Sequence, residues 1–136
     1  MEENNYLYNY GFSQYAQLIA VYLFGSRVTG KEHPNADFDI ALIVDDDFDF
    51  IRNCDLPLVV ASKLEDIVGT KVDVVLFNKM DPPFQAEIRV KGKPIYVRNK
   101  EKLKKIFFKA RREFEDYLGL HKHYIDALEK RYTPHG

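Results

Sequence analysis

The fold is decided by Gly25-Ser26 and, after ten intervening residues, by Asp37-Phe38-Asp39-Ile40-Ala41-Leu42-Ile43-Val44. The apolar run that begins at residue 40 predicts a buried β-strand, and the small pair follows a second apolar run over residues 20–24. Alternate residues of a strand point to the same face. We therefore expect Asp37 and Asp39 to project together, away from the core.

The residue types in these two stretches indicate the binding of metal ions and phosphates. Two neighbouring carboxylates repel one another and raise each other's pKa unless a cation lies between them, and carboxylate oxygens are the ligands that Mg²⁺ prefers. A Gly-Ser corner lets the backbone approach phosphate oxygens and offer amide hydrogens to them. The pattern is typical of a nucleoside triphosphate site with its metal ligands. Arg27 follows the corner directly, and its planar guanidinium matches phosphate oxygens.

A third carboxylate, Asp73, lies inside the apolar run Val72-Asp73-Val74-Val75-Leu76-Phe77. The run predicts a buried strand, in which an isolated carboxylate is expensive. We therefore expect Asp73 to lie beside the same metal site. The alternative is that Lys71 or a neighbouring arginine neutralises it.

The stretches Leu23-Phe24-Gly25-Ser26-Arg27-Val28-Thr29-Gly30 and Ala36-Asp37-Phe38-Asp39-Ile40-Ala41 resemble the DNA polymerase β-like nucleotidyltransferases, and most closely their minimal nucleotidyltransferase (MNT) group. The resemblance covers about the first hundred residues and includes Asp73. It implies an α/β (α+β) nucleotidyltransferase fold, with a small mixed β-sheet flanked by helices and a C-terminal helical extension.

The resemblance also implies roles for the site residues. Asp37 and Asp39 would bind two Mg²⁺ ions that bridge the phosphates of ATP. Asp73 would complete the shell of one ion or take the proton of the acceptor. Gly25 and Ser26 would hold the outer phosphates. Arg27 would neutralise the leaving pyrophosphate.

Composition sets the remaining bounds. With 136 residues, 46% hydrophobic and 30% charged, the chain is expected to form one domain over 1–136, with a core at about 6–98 and C-terminal helices at about 99–131. A net charge of −1 argues against direct binding of nucleic acid, and the lysines and arginines between residues 100 and 112 are interpreted as a solvated helix face. The polar, acidic start, the single Cys54 and the lack of a long apolar run predict a cytoplasmic protein that does not bind a membrane.

Periodicity and the positions of proline and glycine predict the other elements. The predictions are a helix over 6–18, a helix over 56–67 ended by Gly69, a helix over 82–90 ended by Gly92, a strand over 94–97, and a long helix capped by Asn99 in which Gly119 is a stop or kink.

The resemblance to MNT antitoxins, which accompany HEPN-domain RNase toxins, implies a function. The chain would transfer AMP from ATP to a tyrosine hydroxyl of its toxin within a hetero-oligomer. Two alternatives stay open: an enzyme that modifies a small molecule, similar to the aminoglycoside nucleotidyltransferases, and a binding protein that neutralises its toxin without catalysis.

Overall fold

A computed structural model of the protein describes residues 7, 10–29 and 37–132. The strands are β1 (Leu18–Phe24), β2 (Phe38–Val44), β3 (Val72–Leu76) and β4 (Lys93–Val97), and the helices are α1 (Ser26–Thr29), α2 (Leu56–Val68), α3 (Pro82–Lys91) and α4 (Lys100–Tyr132). The strands form one mixed sheet in the order β3-β2-β1-β4. β2 and β3 are parallel, and the other two pairs are antiparallel. The predicted mixed sheet flanked by helices is confirmed.

β2 is apolar along most of its length, and both of its faces are buried. Its alternate residues Phe38, Ile40, Leu42 and Val44 pack into a core covered by α2. The residues between them, Ala41 and Ile43, pack into a second core covered by α3 and α4. The predicted alternation of β2 is confirmed, and Asp39 belongs by the same alternation to the face covered by α3 and α4.

The helices predicted from apolar spacing and breaker residues are confirmed. Gly69 ends α2 in the left-handed conformation, with φ of 74°, and Gly92 follows the last residue of α3. Asn99 caps α4, because its Oδ1 accepts a hydrogen bond from the amide of Lys102 at 3.0 Å. None of the helices in the described ranges is long and apolar enough to cross a membrane.

Two predictions about the ends of the chain are wrong. Residues 10–18 do not continue a helix: a 3-10 turn spans Phe12–Gln14, and β1 begins at Leu18. Phe12 is buried against Tyr10 and Tyr96, so tertiary packing of aromatic rings overrides the helical spacing. Residues 6, 8 and 9 of that predicted helix lie outside the described residues.

The second error concerns Gly119, which does not stop α4. The helix continues for 33 residues from Lys100 to Tyr132. A helical glycine is unfavourable by only about 1 kcal/mol relative to alanine, and the flanking turns outweigh that.

Candidate active site

Asp39 lies at the centre of the site because of its register in the sheet. It is opposite Phe24, the last residue of β1, in the antiparallel pair, and opposite Asp73 in the parallel pair. Residues opposite one another on neighbouring strands project to the same face. The sheet therefore places the carboxylates of Asp39 and Asp73 side by side, next to the corner that begins at Gly25.

The corner after β1 depends on a glycine. Gly25 has a φ of 80°, a conformation that residues with a Cβ rarely adopt. A Cβ added there would also overlap the carboxylate of Asp39. Both constraints follow from the same arrangement, in which the backbone turns sharply against Asp39 and then enters α1 at Ser26.

The electrostatics of Asp39 are those of a crowded carboxylate. Burial raises the pKa of Asp39 above its usual value, the carboxylates of Asp73 and then Asp37 raise it further, and Lys71 lowers it. The negative charges of Asp37 and Asp73 are thus both felt at Asp39, so all three predicted acidic residues belong to one site. An added cation would be attracted to that point, since it removes the repulsion that raises the pKa.

Asp73 is more exposed to solvent than the sequence predicts. β3 is an edge strand, and the side chain of Asp73 is 47% exposed, so the expectation of a buried lone carboxylate is wrong. Its Oδ1 lies 3.6 Å from Nζ of Lys71, the neutralising partner considered as the alternative. This ion pair does not separate Asp73 from the site, because Asp73 stays opposite Asp39 in the sheet.

The donor set suits a hard divalent cation, although it is not assembled as a closed ligand shell. Carboxylates supply the oxygen ligands that Mg²⁺ prefers, and after burial the neighbouring carboxylates of Asp73 and Asp37 are the further causes that raise the pKa of Asp39. Within residues 7, 10–29 and 37–132, no three His, Cys, Asp or Glu side chains are placed closely enough to hold a metal ion as they stand.

The structure describes Gly25 and Ser26, but only the backbone of the third predicted phosphate-binding residue, Arg27. Gly25 and Ser26 form the corner beside Asp39 and begin α1. The backbone of Arg27 is helical, but its side chain lies outside the described part of the chain, so its phosphate contact stays a prediction.

A cavity of about 460 Å³ lies at the other end of the sheet. Asp45, which lines it, directly follows β2 and is six residues from Asp39, or about 20 Å along a strand. Lys79, Lys102, Lys105 and Lys109 also line this cavity. Sequence reasoning missed it: the lysines of α4 were correctly predicted to be exposed, but their spacing does not reveal that they border a concave surface.

The chain matches the family described as "Polymerase beta, Nucleotidyltransferase" over residues 9–101, more than half of its length. It belongs to this nucleotidyltransferase family. The match contains β1, the corner, β2 and β3, and therefore every residue of the candidate site.

Individual known proteins resemble this chain in sequence or in fold. This nucleotidyltransferase is 31% identical over 80 residues to the protein adenylyltransferase MntA of Shewanella oneidensis, a stretch that covers 59% of this chain and about half (55%) of that protein. Its fold matches a chain of a toxin–antitoxin structure solved with AMP-PNP, with a TM-score of 0.73, 22% identity, and coverage of 92% of this chain and 97% of that chain.

A second solved structure contains the tri-AMPylated HEPN toxin of S. oneidensis in complex with its MNT antitoxin. The matched chain has a TM-score of 0.68 and 20% identity, and the match covers 93% of this chain and 96% of that chain. The predicted nucleotidyltransferase fold and the resemblance to MNT antitoxins are confirmed.

Proposed function

We propose that this nucleotidyltransferase is an antitoxin that transfers AMP from ATP to a tyrosine hydroxyl of a HEPN-domain RNase toxin. The observation that carries the proposal is the register that places Asp39 opposite Asp73 and beside the Gly25 corner. It supplies carboxylates for metal ions and a compact turn for phosphates on one end of one sheet face. The relative that is named a protein adenylyltransferase supports the reaction class.

In this reaction the tyrosine oxygen forms a bond to the α-phosphorus of ATP while the bond from that phosphorus to the bridging oxygen of pyrophosphate breaks. Gly25 and Ser26 hold the outer phosphates, which orients the leaving group. Asp37 and Asp39 would hold two Mg²⁺ ions, and Asp73 would either complete the ligand set, with the tyrosine proton passing to solvent, or accept that proton itself. When bound, the ions neutralise the charge that develops on the entering and leaving oxygens.

Lys71 gives the free site a temporary counter-charge. Its ammonium pairs with Asp73 at 3.6 Å, and both side chains are exposed enough to rotate, at 65% and 47%. Exposed ion pairs contribute at most about 1 kcal/mol, so Lys71 holds Asp73 only weakly and the carboxylate would remain available to a divalent ion.

A protein acceptor is favoured by the solved complexes. The chains that share this fold were solved with toxins, and in one complex the toxin carries AMP groups. Transfer to a catalytic-site tyrosine of an RNase adds bulk and negative charge where RNA must bind.

The test is to incubate the purified protein with labelled ATP, Mg²⁺ and the product of the neighbouring gene as acceptor, and to locate added mass by intact-protein and peptide mass spectrometry. We expect mass increments of AMP on a tyrosine of that protein. Asp39→Asn is the inactive variant, and Asp66→Asn, an exposed carboxylate on α2, is the matched control that keeps activity.

Two outcomes would replace the proposal. Label on a small hydroxylated compound, with none on protein, would assign the chain to the small-molecule enzymes. A tight complex with no label under any metal would assign it to the binding proteins that neutralise a toxin by contact alone.

A further inference from the structure

Helix α4 runs along the sheet toward the end that carries the candidate active site. Near the start of the helix, Nζ of Lys102 lies 2.6 Å from Oδ2 of Asp45, the residue directly after β2. Further along, the ring centroid of Phe107 lies 5.4 Å from that of Tyr22, which is opposite Ala41 in the sheet. The helix therefore passes from the last residues of β2 back toward its first residues.

The helix continues past this end of the sheet. Asp39 lies two residues before Ala41, which is about 7 Å along the strand. Tyr117 lies ten residues after Phe107, which is about 15 Å along the helix. Tyr117 is therefore attached beyond the level of Asp39, by at most about 10 Å. Helical side chains point back toward the amino terminus of their helix, so the ring of Tyr117 leans toward the site.

Three aromatic side chains carry the sheet-facing side of α4 past the end of the sheet, and together we call them the aromatic ladder: Phe114, Tyr117 and His121. They follow the buried Ala110 at spacings of four, three and four residues, which keep side chains on one side of a helix. The ring centroids of Phe114 and Tyr117 are 6.4 Å apart with planes at 15°, and those of Tyr117 and His121 are 6.0 Å apart at 12°. The rings are thus nearly parallel, and Tyr117 is 40% exposed.

The aromatic ladder lies within reach of a nucleotide whose phosphates occupy the site. Because Phe107 packs on Tyr22, α4 lies above β1, the strand that ends at the Gly25 corner. In the proposed reaction the outer phosphates of ATP lie at this corner, and its α-phosphorus lies at the carboxylates around Asp39. The adenine ring extends from the α-phosphorus by one ribose and its ester oxygen. This reach is of the same order as the offset of Tyr117 from Asp39.

A set of nearly parallel, partly exposed aromatic rings offers a flat surface to another flat ring. A base that stacks on an aromatic side chain gains about fivefold to a hundredfold in affinity, because every base has a π-face. Tyrosine is well suited to this contact, since its rigid ring provides a large area with few rotatable bonds to immobilise. The contact needs no charge on α4.

We propose that the aromatic ladder is the platform on which the adenine ring of ATP stacks, with Tyr117 as the main contact. The inference rests on the proposed function for the nucleotide and adds α4 to the nucleotide site. The phosphates are then held at the end of β1 and the base on the helix above it. Tyr117 thereby fixes the direction in which the α-phosphorus faces its acceptor.

Calorimetric titration of the full chain with Mg²⁺ and no acceptor tests the contact. The two ligands are ATP and ribose 5-triphosphate, which lacks the base. Tyr117→Ala should raise the Kd for ATP about fivefold or more and leave the Kd for ribose 5-triphosphate within about twofold. Tyr117→Phe keeps the ring and should bind both ligands as the unmodified chain does. Tyr124→Ala is the matched control, because Tyr124 is an exposed aromatic residue about 10 Å further along the helix.

Photolabelling locates the base without a substitution. Trypsin cleaves after Arg112 and Lys122, so residues 113–122 form one peptide that contains the whole aromatic ladder. With 8-azido-ATP and Mg²⁺ we expect label in this peptide, and excess ATP should prevent it. Label confined to other peptides would overturn the proposal.

Four binding results would also overturn it. The first is an unchanged Kd for ATP in Tyr117→Ala, and the second is an equal loss for both ligands, which would place the effect at the phosphates. The third is an unmodified chain that binds ATP no more tightly than ribose 5-triphosphate. The fourth is unchanged ATP binding by Tyr117→Ala together with weaker self-association or weaker binding of the neighbouring gene's product, which would make the ladder a protein-docking surface.

The base platform and the proposed reaction fail in different ways. The titration contains no acceptor, so a chain that binds ATP through Tyr117 but never transfers AMP to a protein would refute only the reaction. AMP transfer to a protein by Tyr117→Ala with an unchanged Kd for ATP would refute only the platform. A chain that binds neither ligand would refute both.

Discussion

At the residue scale, the site concentrates like charges around Asp39 and compensates them incompletely. Burial and the carboxylates of Asp73 and Asp37 raise the pKa of Asp39, and Lys71 offsets only part of this effect. Such an arrangement lowers the stability of the metal-free protein. It is expected where a cation is bound.

Asp39→Asn should abolish nucleotidyl transfer and raise the melting temperature of the metal-free protein at neutral pH. The folded pKa of Asp39 is above its unfolded value, so the folded state holds the proton more tightly and the free energy of unfolding falls as pH rises through that interval. Asparagine carries no ionisable proton, so the variant does not lose this part of the free energy of unfolding. Thermal unfolding in a chelator should therefore show an advantage for the variant that disappears in acid, below the usual carboxyl pKa. An equal difference at every pH would contradict the electrostatic explanation.

Lys71→Met should strengthen binding of a divalent ion to the free protein. The substitution removes the ammonium that competes for Asp73. Because an exposed ion pair is worth at most about 1 kcal/mol, the gain should not exceed roughly fivefold. Calorimetric titration with Mn²⁺ measures it, and Lys63→Met, at an exposed position of α2, is the control. Weaker binding by Lys71→Met would show that the lysine supports the metal site instead of competing with it.

At the element scale, the turn between β1 and α1 is specified by one glycine. Gly25→Ala should destabilise the fold by about 1–3 kcal/mol, since alanine at a positive φ is strained and its Cβ overlaps Asp39. Transfer activity should fall with it, because the Asp39 carboxylate must move.

Gly119→Ala is the matched substitution with the opposite expected sign. Gly119 lies inside α4, and nothing lies within 4 Å of an added Cβ. Alanine should stabilise the protein by about 0.4–1 kcal/mol through a less flexible unfolded chain and better helix propensity. Urea denaturation of both variants measures the pair. Destabilisation by Gly119→Ala would indicate that α4 bends at this residue in solution.

The elements also differ in how well local sequence specifies them. α2 and α3 have regular apolar spacing, a proline in the first turn and a glycine after the last, and all of these signals agree. The segment before β1 has a helical spacing of aromatic residues, but Phe12 is drawn into the core against Tyr96 and the segment forms only a 3-10 turn. Contacts between distant residues decide that segment.

At the scale of the whole molecule, binding of ATP with Mg²⁺ should raise the melting temperature by several degrees. A ligand that binds only the folded state adds about 2.7 kcal/mol of stability when its concentration is one hundred times Kd. Differential scanning fluorimetry measures the change, and ATP with a chelator is the control that should show a smaller shift. Asp39→Asn should lose the metal-dependent part. An equal shift with and without metal would contradict the role of the carboxylates.

The sequence by itself determined the nucleotidyltransferase family of the protein and most of its elements. Strand alternation, apolar spacing, and the positions of proline and glycine act over a few residues, so they can be recognised in the sequence. The types and order of Gly25, Asp37, Asp39 and Asp73 predicted the groups that we propose for the site. Only the tertiary structure decided that Asp73 lies on an exposed edge strand paired with Lys71, and that a cavity opens at the other end of the sheet. Strand order, edge position and concavity arise from contacts between residues far apart in the chain, and local patterns do not encode them.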